Sequence, residues 1–204
     1  MASDLPLLRP TRRAVLGGIG ASAALFAAPA FALNVSEARA LIQSLVGEIN
    51  TVIASSDSEQ QMYAQFERIF NQYADVPVIA QSALGPPART ATPAQMAAYV
   101  EAFRGYIARK YGSRFREFIG GRIEVEEARP LRSFYEVITT AYLRGESPFE
   151  VRFHVSDRSG RNLFFNMMIE GVNMIATERT EIGAMLDRRR GNLDQLIADI
   201  RRAG

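Results

Sequence analysis

The hydrophobic pattern of this chain changes from a period of about 3.6 residues to a period of 2 near Gly120-Gly121. Before that point apolar residues recur at helical spacing. After it, Phe149–Val155 alternates apolar and polar side chains without a break, which is typical of a half-buried strand. Turn-forming residues at 144–148 and 157–160 separate the strand-like segments and indicate hairpins. The order of helices, antiparallel strands and helices predicts an α+β domain.

The helix boundaries are marked by local signals. Thr92-Pro93-Ala94-Gln95 is a capping box with Pro at the first helical position, and Ser58 is a second N-cap candidate. The expected helices cover residues 35–54, 58–73, 75–85 and 93–118, and the chain returns to helix after residue 171. The expected strands cover residues 123–126, 134–142, 149–155 and 163–169.

Residues 1–32 have the composition of a secretory signal peptide. Arg12-Arg13 precedes a run of small and apolar residues that is too short to span a bilayer and ends in A-x-A patterns at Ala32. The arginine pair resembles a twin-arginine export signal. We therefore expect one mature domain, residues 33–204, which begins at Leu33 and resides in the periplasm.

Loss of this segment changes the charge of the chain. The full sequence has 24 basic and 22 acidic residues, and the segment holds three arginines and one aspartate, so 21 of each remain. A net charge of zero removes the main electrostatic support for nucleic-acid binding. No nucleic acid is expected as a partner.

The side chains that catalysis needs are scarce. The chain has no Cys and one His, which excludes disulfides, thiolate metal sites and a Cys nucleophile, and leaves little room for a multi-His metal site. Alternation places His154 on the polar face of its strand, where we expect it to be solvated or hydrogen-bonded locally. We therefore expect neither an enzyme nor a cofactor or metal.

Bulky apolar side chains, in contrast, are more numerous than the packing of a core alone would require. The chain has 12 Phe, 7 Tyr and 7 Met, concentrated on the long helix and the strands. Helices packed on a strongly bent sheet can leave an interior volume open to an apolar ligand, and Met adapts to chain-like ligands. The candidate lining residues, chosen by helical face and strand alternation, are Phe66, Phe70, Phe103, Tyr106, Ile107, Tyr111, Phe115, Ile138, Phe153, Phe164 and Met168.

Four stretches together carry a family resemblance. They are Phe66–Gly85, which ends in the element Ile79–Gly85; the Thr-Pro-x-Gln start at Thr92 with the helix that follows it to Tyr111; Glu170–Met174 with Arg179 and Ile182; and Leu193–Ile197. In order and spacing they resemble the MlaC, or toluene-tolerance, family of periplasmic phospholipid-binding proteins. The resemblance covers nearly all of residues 35–200. It implies a cone-shaped, NTF2-like fold, in which a strongly curved antiparallel sheet of about four strands is packed by N- and C-terminal helices.

The resemblance also implies a function. Such a protein holds the acyl tails of a phospholipid inside, with the headgroup near solvent, and acts as a lipid-transport carrier with the lipid as its cargo. Its implied partners are an outer-membrane lipoprotein complex and an inner-membrane ABC-type transporter, and the implied role is to maintain outer-membrane lipid asymmetry. We expect it to act as a monomer.

Other functions stay open at this point. The strand 163–169 has no Trp and carries Asn166 near the family's Asp position, which leaves the exact ligand open. A related branch of the family is associated with hopanoid-producing bacteria, so the resemblance implies a hopanoid or another polycyclic lipid as an alternative cargo. An NTF2-like isomerase or dehydratase would use a buried carboxylate, for which Glu136 is the candidate. An interaction module with a filled interior is a third alternative. The arginines Arg188–Arg190 and Arg201-Arg202 could attract an anionic lipid surface or an acidic patch of a partner, or could be solvated at a helix end, where they favour the helix dipole.

Overall fold

The computed structural model of the protein describes residues 33–112 and 117–203. Six α-helices lie within these residues: α1 (Val35–Ala54), α2 (Glu59–Tyr73), α3 (Val76–Leu84), α4 (Pro93–Gly112), α5 (Met174–Arg188) and α6 (Leu193–Ile200). Five strands form the sheet: β1 (Arg122–Leu131), β2 (Phe134–Tyr142), β3 (Phe149–Ser156), β4 (Leu163–Ile169) and β5 (Val172–Asn173). The predicted α+β class is confirmed.

The helices begin where the capping signals predict. The Asn34 and Ser58 side chains each accept a hydrogen bond from the backbone three residues on, in reciprocal capping boxes. Thr92 does the same for α4, since its Oγ1 accepts from the Gln95 backbone N–H at 3.2 Å and its own N–H donates to the Gln95 side chain at 3.1 Å. These bonds satisfy backbone donors that a helix start leaves unpaired.

The sheet is antiparallel and open, with the strand order β1-β2-β3-β4-β5. Its pairing shifts by one residue between Val125 and Glu127 in β1, and again opposite His154 and Val155, where the extra residue lies in β4 between Phe164 and Asn166. Such bulges bend a strand and increase its twist. The fifth strand was not predicted, because two residues are too few to show alternation.

The sheet has two different sides. One side, here called the helix-facing side, carries Val137, Ala141, Phe153 and Val155, which belong to the same apolar core as the buried residues of the helices. The other, the outer side, carries the alternate residues of the same strands, among them Glu136. The two sides therefore present different chemistry.

The long helix differs from its prediction. A helix through residue 118 was expected, but the described part of α4 ends at Gly112, residues 113–116 lie outside the described part, and residues 117–118 form a 3-10 turn. Gly120 has φ +76°, a conformation that favours glycine and ends the segment before β1. The helices in the described residues are all too short or too polar to span a bilayer.

Substituting Thr92→Ala should lower the free energy of unfolding by about 1 kcal/mol, because it removes the cap of α4. Thr180→Ala is the matched control, since Thr180 is exposed within α5 and bonds only to the carbonyl of Ala176. Urea unfolding of the two variants measures both effects. A loss for Thr180→Ala as large as for Thr92→Ala would contradict the assigned cap.

Candidate functional site

Four phenylalanines connect α2 with the helix-facing side of the sheet. Phe66 stacks on Phe70 with ring centroids 6.2 Å apart, and Phe70 meets Phe164 of β4 edge-on, also at 6.2 Å. Phe164 in turn contacts Phe153 of β3 at 5.5 Å and 75°. These four predicted residues form one continuous layer, here called the aromatic layer.

Helix α4 contributes a second group of predicted residues. Phe103 is fully buried, between Tyr99 at 5.9 Å and Tyr106 at 6.2 Å. Ile107 is buried one turn further on, and Tyr111 is half-buried near the end of the helix. All belong to or pack on the same apolar core as the aromatic layer.

Two predicted residues within the described part of the chain are not brought to this layer. Ile138 pairs with Arg152, and Arg152 with Met168, so both apolar side chains lie half-buried on the outer side of the sheet. Phe115 lies outside the described residues.

The outer side carries a buried polar row across four strands. Arg129, Glu136, His154 and Asn166 pair successively in the register, and the last three are each less than one-tenth exposed. Arg129 Nη2 and Nε donate to Glu136 Oε2 at 2.6 and 2.9 Å. Arg152 Nη1 lies 3.9 Å from the other carboxylate oxygen.

This row bears on the isomerase alternative. Glu136 is buried as that alternative requires, but it lies on the outer side and its carboxylate is bound by Arg129. A general base for that reaction would be expected to face the apolar interior without a strong cation partner. The geometry gives Glu136 a structural role in the row.

His154 is buried and locally hydrogen-bonded rather than solvated. Asn166 Nδ2 donates to its Nδ1 at 3.4 Å, and the Phe134 ring lies 4.7 Å from the imidazole. Burial lowers the pKa of His154 below its ordinary value, and the Glu136 carboxylate opposes that shift. No group of three or more His, Asp or Glu that could hold a metal ion occurs within residues 33–112 and 117–203.

Side chains of the aromatic layer contact one another within the described residues. Two concavities open elsewhere on the surface. One, of about 340 Å³, lies between α1, Tyr73 and Asn162. The other, of about 400 Å³, is lined by Arg188–Arg190, Asn192 and Gln195. A ligand held beside the aromatic layer would therefore have to displace side chains that now pack together.

The arginines near the C-terminus are partly paired. Arg189 and Arg202 both donate to Asp199, at 2.5 to 2.9 Å, and hydrogen bonds from Arg189 hold the pKa of Asp199 below its usual range. Arg188 is exposed in the last turn of α5, where a cation is favourable to the helix dipole.

A polar cluster between α4 and α5 was missed by the sequence analysis. Lys110 Nζ contacts Glu178 Oε1 at 2.7 Å and Glu181 Oε2 at 2.6 Å. Tyr106 donates to Glu181 at 2.8 Å, and Tyr111 donates to Glu178. We call these five residues the α4–α5 bridge. One signal could have revealed it, because Glu178 lies three residues after Ile175 and four before Ile182, on the apolar stripe of its helix.

Substituting Phe164→Ala should lower the free energy of unfolding by about 3–5 kcal/mol, because it opens a cavity at the centre of the aromatic layer. The comparison variant is Met168→Ala in the same strand, on the outer side. It should cost only about 1 kcal/mol, since its side chain is half-buried. Equal losses in chemical denaturation would contradict the assignment of the two sides.

Comparison with known proteins connects this arrangement to one family. The chain superposes on a phospholipid-binding protein from Ralstonia solanacearum, solved in complex with a phospholipid, with a TM-score of 0.67 and 19% sequence identity. The match covers 80% of this chain and 98% of the other. At that identity the match establishes the fold. The MlaC protein family matches residues 41–202, and the chain belongs to that family.

Proposed function

We propose that this protein is a periplasmic carrier that shelters the acyl tails of a phospholipid between its helices and the helix-facing side of its sheet. The observation that carries the proposal is membership of the MlaC family over residues 41–202, together with a continuous aromatic layer inside the fold. The similarity of the fold to that of a protein solved with a phospholipid supports it.

The physical task needs no catalytic group. A diacyl lipid exposes about 30 methylenes, and at about 0.8 kcal/mol each its transfer into water is uphill by roughly 24 kcal/mol. Unassisted passage between two membranes is therefore negligible. An apolar interior with an entrance is sufficient, which fits a non-enzymatic carrier without a cofactor.

The tails take the place of contacts that the aromatic side chains now make with one another. Phe66 is half-buried at one end of the layer, so it can move with less loss of packing than the fully buried Phe103. Apolar contacts can be exchanged at little cost only when volume is conserved, and the acyl tails add volume to the interior. Loading therefore requires the helices to move away from the helix-facing side of the sheet.

Export and partners complete the proposal. Residues 1–32 direct the chain to the periplasm, where it exchanges lipid with an outer-membrane lipoprotein complex and an inner-membrane ABC-type transporter to maintain lipid asymmetry.

The Leu33 N–H donates to Asp157 Oδ2 at 3.1 Å. If cleavage precedes Leu33, its new ammonium group will lie beside that carboxylate and stabilise the start of the mature domain.

Purified protein should carry about one phospholipid per chain, either as isolated or after incubation with liposomes. Mass spectrometry of its organic extract measures the bound lipid. Phe66→Asp should reduce the retained lipid by roughly tenfold, because a carboxylate beside the tails is costly to desolvate. Phe165→Asp is the matched control, since Phe165 is also half-buried but contacts Phe134, the ring that packs on His154 of the outer side. It should retain lipid as the wild type does.

Two results of this experiment would count against the proposal. A wild-type protein that acquires no lipid by either route would overturn it, and equal loss in both variants would overturn the assignment of the tails to the helix-facing side. Recovery of a polycyclic lipid alone would replace phospholipid as the cargo.

Substituting Arg12→Lys together with Arg13→Lys should abolish export and leave the precursor in the cytoplasm, because the twin-arginine receptor reads the arginine pair. Arg9→Lys, outside the pair, should not. Cell fractionation and mass spectrometry of the mature N-terminus give the measurement. Unchanged export of the double variant would show that another pathway or an uncleaved segment is used.

A further inference from the structure

The turn between α5 and α6 forms a surface concavity of about 400 Å³, here called the arginine concavity. Five side chains line it, those of Arg188, Arg189, Arg190, Asn192 and Gln195. Guanidinium groups only donate hydrogen bonds. Asn192 Oδ1 already accepts the Gln195 backbone N–H at 3.0 Å, which leaves the amide N–H groups of Asn192 as donors. The concavity is therefore rich in positive charge and in donors, and it suits an anion.

The backbone of this turn brings three consecutive arginines to one place. On a continuing α-helix their side chains would point about 100° apart from one residue to the next. Instead, Arg190 has φ +54° and Gly191 has φ +79°, so the chain leaves the helical path directly after α5. The Arg190 N–H donates to the Asp187 carbonyl at 2.9 Å, and the Gly191 N–H donates to the Leu186 carbonyl at 3.1 Å. Backbone hydrogen bonds therefore set the positions of the three arginines.

One arginine of the concavity is paired and two are available. Arg189 Nε and Nη2 donate to the two carboxylate oxygens of Asp199 at 2.5 and 2.8 Å, and Arg202 donates to the same carboxylate at 2.9 Å. Arg188 and Arg190 are exposed and make no ion pair within the part of the chain that the structure describes. These two guanidinium groups are free to meet a ligand.

The charges around the concavity are unequal. Residues 187–202 contain five arginines and three aspartates, whereas residues 33–204 as a whole carry no net charge. Asp199 is bound by two arginines, Asp194 accepts a hydrogen bond from a glutamine of α4 at 3.1 Å, and Asp187 is exposed at the end of α5. Positive charge is therefore concentrated on this turn and on α6.

A phosphate group at a membrane surface fits these observations. Arginine forks bind phosphate through paired, charge-assisted hydrogen bonds, and a volume of about 400 Å³ has room for a headgroup phosphate with its neighbouring atoms. Such a phosphate projects on a mobile headgroup and can enter a concavity, whereas the carboxylates of a folded protein lie close to its surface. The large apolar residues that are exposed in the described chain all lie outside α5 and α6, so the contact is electrostatic and readily reversed.

We propose that the arginine concavity docks the protein on anionic membrane surfaces by binding headgroup phosphates. The concavity shares no residue with the aromatic layer, so docking and the sheltering of acyl tails are separate tasks. The inference rests on the proposed function for its purpose, because a carrier has to approach a membrane in order to exchange lipid. The contact itself needs no lipid transfer and can be measured separately.

The test uses the mature protein after incubation with phospholipid, and vesicles of phosphatidylcholine with or without phosphatidylglycerol. Co-flotation measures the protein bound to vesicles, and mass spectrometry measures the lipid held per chain. At low ionic strength the wild type should bind the anionic vesicles about twentyfold more tightly than the neutral ones, because each arginine near such a surface contributes roughly a fivefold factor. The preference should fall as the salt concentration approaches about 0.15 M, where the Debye length is about 8 Å.

Arg188→Gln together with Arg190→Gln should bring the affinity for anionic vesicles to within about threefold of that for neutral vesicles, because both available guanidinium groups are removed. The lipid held per chain should not change. Arg158→Gln together with Arg161→Gln is the matched control, since both residues are exposed in the turn between β3 and β4 and the change in charge is the same. This variant should bind vesicles as the wild type does.

The failures are distinguishable. Equal binding of the wild type to anionic and neutral vesicles would overturn the proposal and leave an acidic protein surface as the partner of the concavity. Equal losses in the two double variants would overturn the assignment to this turn, since any exposed arginine would then serve. Both results leave the carrier function intact. A wild type that holds no lipid would overturn the proposed function, whereas its binding to vesicles would still be measured.

Discussion

The packing of α1 and its neighbours on one side of an open antiparallel sheet is the interaction on which the rest of the structure depends. Helix α1 is fixed to β1 by Asn50, whose side chain donates to and accepts from the backbone of Ile123 at 2.8 and 2.9 Å. That contact orients the helix-facing side, where Val137 and Val155 are fully buried. Because the side chains of a strand alternate between the two sides of a sheet, the contact of α1 with β1 also determines which side chains point away from the helices.

Buried carboxylates on the two sides of the fold have different partners. On the outer side Glu136 meets Arg129 and Arg152, so its charge is compensated where it is buried. Glu178 is bound at one oxygen by Lys110 and Tyr111. Buried polar atoms without a hydrogen-bond partner occur in both places, at His154 Nε2 and Asn166 Oδ1 in the outer row and at Glu178 Oε2. An unmatched atom therefore does not by itself separate a ligand site from a structural group.

Much of the fold could be predicted because its signals are local. Helix α1 was predicted at its observed limits, and the capping boxes at Ser58 and Thr92 mark the starts of α2 and α4. The sides of the sheet were harder to predict. The bulge opposite His154 and Val155 pairs Phe164 with Val155 but Asn166 with His154. Phe164 and Met168 therefore lie on opposite sides of the sheet, although residues four apart on a regular strand share one side. A bulge depends on pairing between strands, which alternation within one strand does not reveal.

The candidate site was predictable only in its apolar part. Periodicity identifies Phe70 and Phe103 as buried, but a buried aromatic residue has the same pattern whether it fills a core or lines a lipid site. The α4–α5 bridge joins residues 67 to 75 positions apart in sequence, and such contacts are decided by tertiary packing.

The central claim is that acyl tails lie on the helix-facing side of the sheet. The most direct test is a crystal structure of the protein loaded with a phospholipid whose acyl chains carry bromine, with the bromine atoms located by anomalous scattering. The account predicts bromine peaks beside Phe70, Phe153 and Phe164, with the aromatic layer parted around them. Peaks on the outer side, beside Ile138 and Met168, or an aromatic layer that stays closed in the loaded protein, would contradict it.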